Sequence, residues 1–542
     1  MIGNESTQYK GTLRTEAASR AYLLAGMLPV MVAILTFVAR AIYLGRSFDI
    51  FIDEVTYLQI ARSVGFRLQL QLAGQPFFLH PPAWFLIEGA YLRVFNVSGN
   101  LIAQIYATRF LVAAFAALSA ALVFLIARRA AGWPAGLIAA LLFALDPFII
   151  KLNSLNMLET SAVAWTLAGY WTLISGIASD EEAQASFAWR RLLVGPFAQP
   201  AKGIALWRAG LAGLFFGLAL LTKEMTAFLT LLPLAIFFVW RWPVPRRALA
   251  IIGGVAVATY AIYPLTVAIQ GRWALFVQQK THGFVRFAGL IRTTGFKRTG
   301  GPSLTQTVLD HLSYYGTTYL MIALGLLAIY LLLRHGDRIG RLVAVWALCT
   351  YAMLSYNVLF GTLEEQFFYY LVIICNLVNA IALVCFLGSA AGRRVGRPAL
   401  YAGTVMLALM ITYNGYQWAD VHLHPNNGFD GVLAYLQQRV PRGQGVASTN
   451  ETGQSVLQGY LSGPWGAWTS VDDLKRFAPN YVLVTPHTLV WNNSSAARIL
   501  LTWIEQNGHE VYEFNGREDN ILRLYSLPKN SAPATNTAPA IP

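Results

Sequence analysis

The chain has 542 residues with 40 Lys and Arg against 26 Asp and Glu, a net charge of +14, yet only 12% of it is charged and 56% is hydrophobic. Soluble domains carry about 25% charged residues, so this composition excludes an ordinary soluble enzyme and a disordered chain. The basic surplus sits mostly between apolar runs, where membrane proteins keep their topology signals, and makes no case for nucleic acid.

A polar stretch ends at Arg20, and the long apolar run after it has no small-residue cleavage site. It reads as an uncleaved first span behind a cytoplasmic N-terminus, 1–20. Crossing a bilayer takes about 20 mostly apolar residues. Candidate spans lie at 21–44, 101–127, 133–150, 157–178, 205–222, 225–242, 247–269, 314–333, 341–360, 367–389 and 399–418, eleven in all. Leu221-Thr222-Lys223-Glu224 divides two of them, because one long helix would bury Lys223 and Glu224 in hydrocarbon. With the N-terminus inside, every inner segment is basic, for example Arg128-Arg129 and Arg393-Arg394, while the short outer connections hold only Lys151 and Lys223. Eleven spans then place the C-terminus outside. The transmembrane domain is expected over 21–420, with long outer loops at 45–100 and 270–313 and a polar inner insert at 179–204.

The part beyond 420 reads as a small soluble α/β domain over 421–528. Helices are predicted at Val432–Val440, Val471–Phe477 and Ser494–Asn507, and strands at Gly445–Ser448, Tyr481–Thr485, Glu510–Phe514 and Ile521–Tyr525. The tail, 529–542, is low in complexity and predicted to be disordered. Cys349, Cys375 and Cys385 lie in apolar runs and form neither a disulfide framework nor a zinc spacing.

Six features carry possible chemistry. Asp49, Asp53 and Glu54 fall within six residues where the first span meets the outer surface. A poorly solvated carboxylate there suits a general base, but Asp53 taken alone reads more readily as the N-cap of a surface helix starting near Glu54. His80-Pro81-Pro82 gives a rigid start to an interfacial helix. Glu159 opens the fourth span, where a helix dipole favours a carboxylate. Lys223 sits in the tight turn, free to snorkel. The loop with Arg286, Arg292, Lys297 and Arg298 interleaves basic with aromatic residues, which suits a lipid phosphate or anionic headgroups alike. Glu364-Glu365-Gln366-Phe367-Phe368-Tyr369-Tyr370 is an acidic and aromatic lead into the tenth span, readable also as an aromatic belt. His422-x-His424 near Asp420 could bind a metal or be a solvated junction.

In order, and on one predicted membrane face, these motifs resemble those of the GT-C glycosyltransferases, in particular the branch with protein O-mannosyltransferases and lipid A aminoarabinose transferases. Asp53-Glu54 with Tyr57 and Ala61 resembles the first-loop acidic motif, and His80-Pro81-Pro82 the proline motif. Asp146-Pro147 to Glu159, Leu221-Thr222-Lys223 and Phe368-Tyr369-Tyr370-Leu371 resemble later blocks, and the likeness covers about 20–420. Gln366 departs from it, standing where relatives often have His or Arg.

The resemblance implies a GT-C fold and an inverting transfer of a hexose or pentose from a polyprenyl-phosphate donor to a glycan, lipid or protein hydroxyl at the outer face of a bacterial plasma membrane. Asp53 would be the base, and Glu54 would orient the acceptor or hold the sugar. Lys223, Arg286, Arg292, Lys297 and Arg298 would meet the phosphate, with Tyr57, His80, Glu159, Tyr369 and Tyr370 as further substrate contacts. A divalent metal is compatible and not required. Competing classes are a transporter, a lipid-diphosphate polysaccharide polymerase or ligase, and a membrane scaffold. A transporter predicts polar groups at the midplane and internal symmetry, neither of which the sequence displays.

Overall fold

A computed structural model describes residues 26–67, 69–177, 204–240, 244–298, 300–441, 444–458, 465–467, 469–492 and 494–528. The expected N-terminus 1–20, nearly all of the insert 179–204 and the tail 529–542 lie outside them.

All eleven expected apolar segments hold helix. Five are long and apolar enough to cross a membrane: Leu101–Ala131, Arg246–Ile269, Leu312–His335, Arg338–Leu359 and Phe367–Gly388. A sixth apolar run, Trp133–Leu145 with Pro147–Asn153, is bent by 64°. Asp146 causes the bend: its carboxylate caps the second piece by accepting from the N–H groups of Phe148 and Ile149, and Pro147 cannot continue the first. The other segments hold shorter apolar helices (Gly26–Ala41, Leu206–Thr222, Glu224–Trp240) or more polar ones (Leu158–Ser175, Ala390–Leu423). The protein is a multi-pass membrane protein. Leu101–Ala131, Arg338–Leu359 and Phe367–Gly388 are the most buried of the five, while Arg246–Ile269 turns Val257, Ile262 and Leu265 outward as a lipid-facing helix does.

At one end of the bundle, residues 45–100 fold into helices Ile52–Arg67 and Ala83–Val94 around a short hairpin, β1 (Gln71–Leu72) and β2 (Gln75–Pro76). The two helices cross at Gly65 and Gly89, where a Cβ on either would strike the other's backbone. Next to them sits the C-terminal domain, a five-stranded sheet with strands β3 (Val446–Ser448), β4 (Trp465–Ala467), β5 (Tyr481–Val484), β6 (His509–Asn515) and β7 (Ile521–Ser526) in the order β4-β3-β5-β7-β6. β3 pairs in parallel with both neighbours, and β7 antiparallel with both of its own. β4 and the helix Glu451–Leu457 were not foreseen, because both are short and carry no clear period.

The two parts share a core. Ile50, Val55 and Leu58 of the loop pack in one cluster with Phe429, Val432 and Leu436 of the C-terminal domain. Polar ties reinforce it: the Asp49 carboxylate accepts from the side chain of Asn520 (3.1 Å) and the backbone of Phe429, and Tyr106 donates to Asp430 (2.9 Å). The β6–β7 turn reaches furthest. Its Glu518 takes Lys151 at 2.8 Å and accepts from Tyr315 at 2.5 Å, and Lys151 also holds Glu365 at 2.8 Å.

Candidate active site

A cavity of about 1570 Å³ lies where the bundle end, the two long loops and the C-terminal domain meet. Asp53, Tyr57, His80, Lys223, Arg286 and Arg298 line it, from among the side chains expected at the site.

Asp53 is in the first turn of Ile52–Arg67, inside the helix and not at its N-cap. Its carboxylate accepts from the Tyr57 hydroxyl one turn on, at 3.4 Å. Burial, with Glu364 and Glu159 nearby, pushes its pKa up to about 7, against the opposing pull of Lys223. The Tyr57 ring meets His80 edge-on at 6.0 Å. His80 is held by its loop: Gln279 accepts from the Phe78 N–H (2.6 Å) and donates to the Pro76 carbonyl (3.0 Å), and Lys280 donates to the Leu79 carbonyl (3.1 Å). Burial first, and then the cations Lys223, Lys280 and Arg286, drive His80 well below its ordinary value, so the ring is neutral.

Opposite stand the cations. Lys223, at the end of Leu206–Thr222, is paired with the buried Glu159. Lys280 pairs with Glu224 at 2.6 Å. Arg286 has the more distant Glu364 at 3.8 Å, and Arg298 has no acidic partner among the described residues. Glu364 is itself fixed by Thr294 (2.8 Å) and Gln366 (2.8 Å). Gly295 has φ +73°, and a Cβ there would collide with the Leu363 carbonyl, so the loops bearing Arg298 and Glu364 lie pressed together.

Several expectations need correction. Glu54 is fully buried and does not line the cavity: it accepts from the Arg109 guanidinium (2.9 and 2.8 Å) and from the backbone N–H of Phe51 and Asn156. Glu159 reaches the cavity only through Lys223. Tyr369 and Tyr370 are buried behind the wall, where the Tyr369 hydroxyl donates to Asn153 at 2.5 Å. Arg292 points to the surface and Lys297 is not among the lining residues. His422 faces the Trp418 carbonyl and His424 faces Asp420, so the two rings work separately. Among the described residues no three His, Cys, Asp or Glu side chains converge as metal ligands would. Glu364, Lys280 and Lys151 line the cavity as well: Lys280 belongs to the basic and aromatic loop, Glu364 to the acidic and aromatic lead and Lys151 to the segment from Asp146-Pro147 to Glu159, and the contacts of each are made only across the fold.

No family model matches the chain, and no curated protein matches it in sequence. Solved structures do. ArnT from Cupriavidus metallidurans bound to undecaprenyl phosphate aligns with a TM-score of 0.52 at 14% identity, covering 94% of this chain and 99% of that one. Its apo state gives 0.54 at 15% identity, covering 94% and 98%. The archaeal oligosaccharyltransferase AglB from Archaeoglobus fulgidus, in complex with an inhibitory peptide and a dolichol-phosphate, gives 0.55 at 12% identity, covering 94% and 75%. The chain has the GT-C fold of these proteins.

Proposed function

We propose that the protein is a membrane glycosyltransferase that moves a sugar from a polyprenyl-phosphate donor to an acceptor hydroxyl, with Asp53 as general base. The observation that carries the reading is a carboxylate with a pKa near 7, set in a cavity wall and faced by cations. The fold supports it, since the similar ArnT binds undecaprenyl phosphate and the similar AglB a dolichol-phosphate.

The acceptor hydroxyl gives its proton to the Asp53 carboxylate as its oxygen attacks the anomeric carbon. The bond from that carbon to the phosphate oxygen breaks, and the electron pair leaves with the polyprenyl phosphate. One in-line displacement inverts the anomeric centre. Charge grows on the departing phosphate, and fixed cations there lower the barrier. Arg286 and Arg298 have the weakest internal partners of the cavity cations and so the most charge to offer. Lys223 and Lys280, with carboxylate partners of their own, contribute less. Neutral His80 can hydrogen-bond the phosphate or the sugar. The polyprenyl chain runs between helices. Eleven crossings of a plasma membrane, with the N-terminus cytoplasmic and the site extracytoplasmic, complete the reading; the sugar is a hexose or pentose.

The test is mass spectrometry of lipids that co-purify with the wild type and with a Lys223→Ala, Arg286→Ala double variant. Polyprenyl phosphate or its sugar adduct, enriched in the wild type and depleted in the variant, is the expected result. Bulk phospholipid alone in both samples would sink the donor assignment.

A further inference from the structure

The C-terminal sheet contains a point where its connections diverge. From β3 the chain passes through Glu451–Leu457 to β4 on one side, then through Val471–Phe477 back across to β5 on the other. In open α/β sheets the crevice outside the carboxyl ends of two such strands is where ligands bind. Here the crevice lies beyond Ser448 and Val484, and it opens into the cavity that holds Asp53. Asn450 and Thr452 follow β3, and His487 and Trp491 follow β5; all four line the cavity.

The chemistry of this wall differs from that of the wall behind Arg286. Of its acidic groups, Glu518 is paired with Lys151 at 2.8 Å, while Asp519 is partly exposed and lies 3.7 Å from the His311 ring. Among the described residues, the side chains of Thr452, His487 and Trp491 make no hydrogen bond within the chain. Asn450 spends its carbonyl oxygen on the N–H of Gly453 and keeps its amide protons. Burial, with Arg298 close by, holds His487 below its ordinary value, and the ring is neutral. The wall thus offers uncharged donors and acceptors beside one indole face. There is also room to spare: small-molecule pockets measure about 300–1,000 Å³, and this cavity has about 1570 Å³.

We infer that the crevice beyond β3 and β5 is the acceptor subsite and that it takes a neutral saccharide. The inference rests on the glycosyltransferase reading above. The Trp491 ring packs on the C–H face of a sugar, as an amphipathic aromatic can, while Asn450, Thr452 and His487 hydrogen-bond its hydroxyls. The hydroxyl that reacts then points across the cavity to Asp53.

The experiment uses full-length protein in detergent and two kinds of probe. Saturation-transfer NMR reads binding of neutral oligosaccharides (mannohexaose, maltohexaose and an arabinan hexamer) and of a Ser/Thr-rich peptide. Native mass spectrometry reads binding of undecaprenyl phosphate. At least one oligosaccharide is expected to bind the wild type, to bind Trp491→Ala about tenfold or more weakly, and to be partly restored by Trp491→Phe. Thr452→Val should weaken it less. Undecaprenyl phosphate should bind all four proteins alike, which also reports that the variants are folded. The inference is overturned if the peptide binds and no oligosaccharide does, if neither binds, or if an oligosaccharide binds Trp491→Ala as it binds the wild type. Loss of undecaprenyl phosphate binding in the wild type would instead strike at the donor reading.

Discussion

Asp53 and Glu54 are neighbours in sequence and opposites in the structure. Successive helix residues point about 100° apart, so one turn of Ile52–Arg67 sends Asp53 into the cavity and Glu54 into the core. Among the described residues Asp53 has one donor, Tyr57, and burial pushes its pKa up to about 7. Glu54 has its carboxylate filled by Arg109 and two backbone N–H groups, and the same arginine also donates to the carbonyls of Phe48 (2.8 Å) and Asp49 (3.0 Å). One carboxylate is left free to react, and the other pins the loop that carries it. The comparison teaches that a reactive group is recognised less by its type than by the partners it lacks.

The largest expected effect is on the cavity side. Asp53→Asn should cut turnover by about 10²–10⁴-fold, the usual worth of a positioned general base, while the melting temperature stays near that of the wild type. Normal turnover would remove Asp53 from the base role. On the core side, Glu54→Ala leaves Arg109 buried without its charge partner and should cost about 3–5 kcal/mol, read as a large drop in thermal stability in detergent. A Glu54→Ala protein that melts normally but has lost transfer would collapse the distinction between the two residues.

Acid sharpens it further. Asp53 must be ionised to act, so single-turnover rates should rise about tenfold per pH unit up to about 7 and then level off. The same raised pKa works against folding in that range. The unfolded chain releases this proton near pH 4 and the folded chain only near pH 7, so stability falls as pH rises between them. Asp53→Asn should remove the rise in the rate profile and lessen the fall in stability, to which buried Asp49 and Glu88 also contribute; a rate profile and a series of melting curves would reveal both. The smallest effect belongs to the domain contact. Lys151→Met removes the bridge between Glu365 and Glu518 and should cost about 1–3 kcal/mol, seen as faster proteolysis of the C-terminal domain with the bundle intact.

Much of this architecture was legible in the chain. Apolar runs of membrane length mark the helices, because lipid demands that backbone hydrogen bonds close within each segment. Alternation and helical spacing located most of the C-terminal elements, Val471–Phe477 at both of its ends. Asp53 and His80 could be picked out because their motifs, taken in order along the chain, resemble those of the GT-C glycosyltransferases. Which side of the helix each residue faced could not be read, and Glu54, Tyr369 and Tyr370 went astray for that reason. Their motifs specify residue type and order, while burial depends on what packs against them from 50 to 200 residues away, such as Arg109 and Asn153.

The sequence by itself determined that this is a membrane protein and where its helices run, since hydropathy and local spacing are properties of contiguous residues. The tertiary structure alone decided that Asp53 and not Glu54 meets the cavity, that Lys223 and Lys280 are already paired, and that the C-terminal sheet turns the carboxyl ends of β3 and β5 toward the same space. Each of those outcomes depends on contacts between distant segments, and free energies of burial and pairing are set by such contacts.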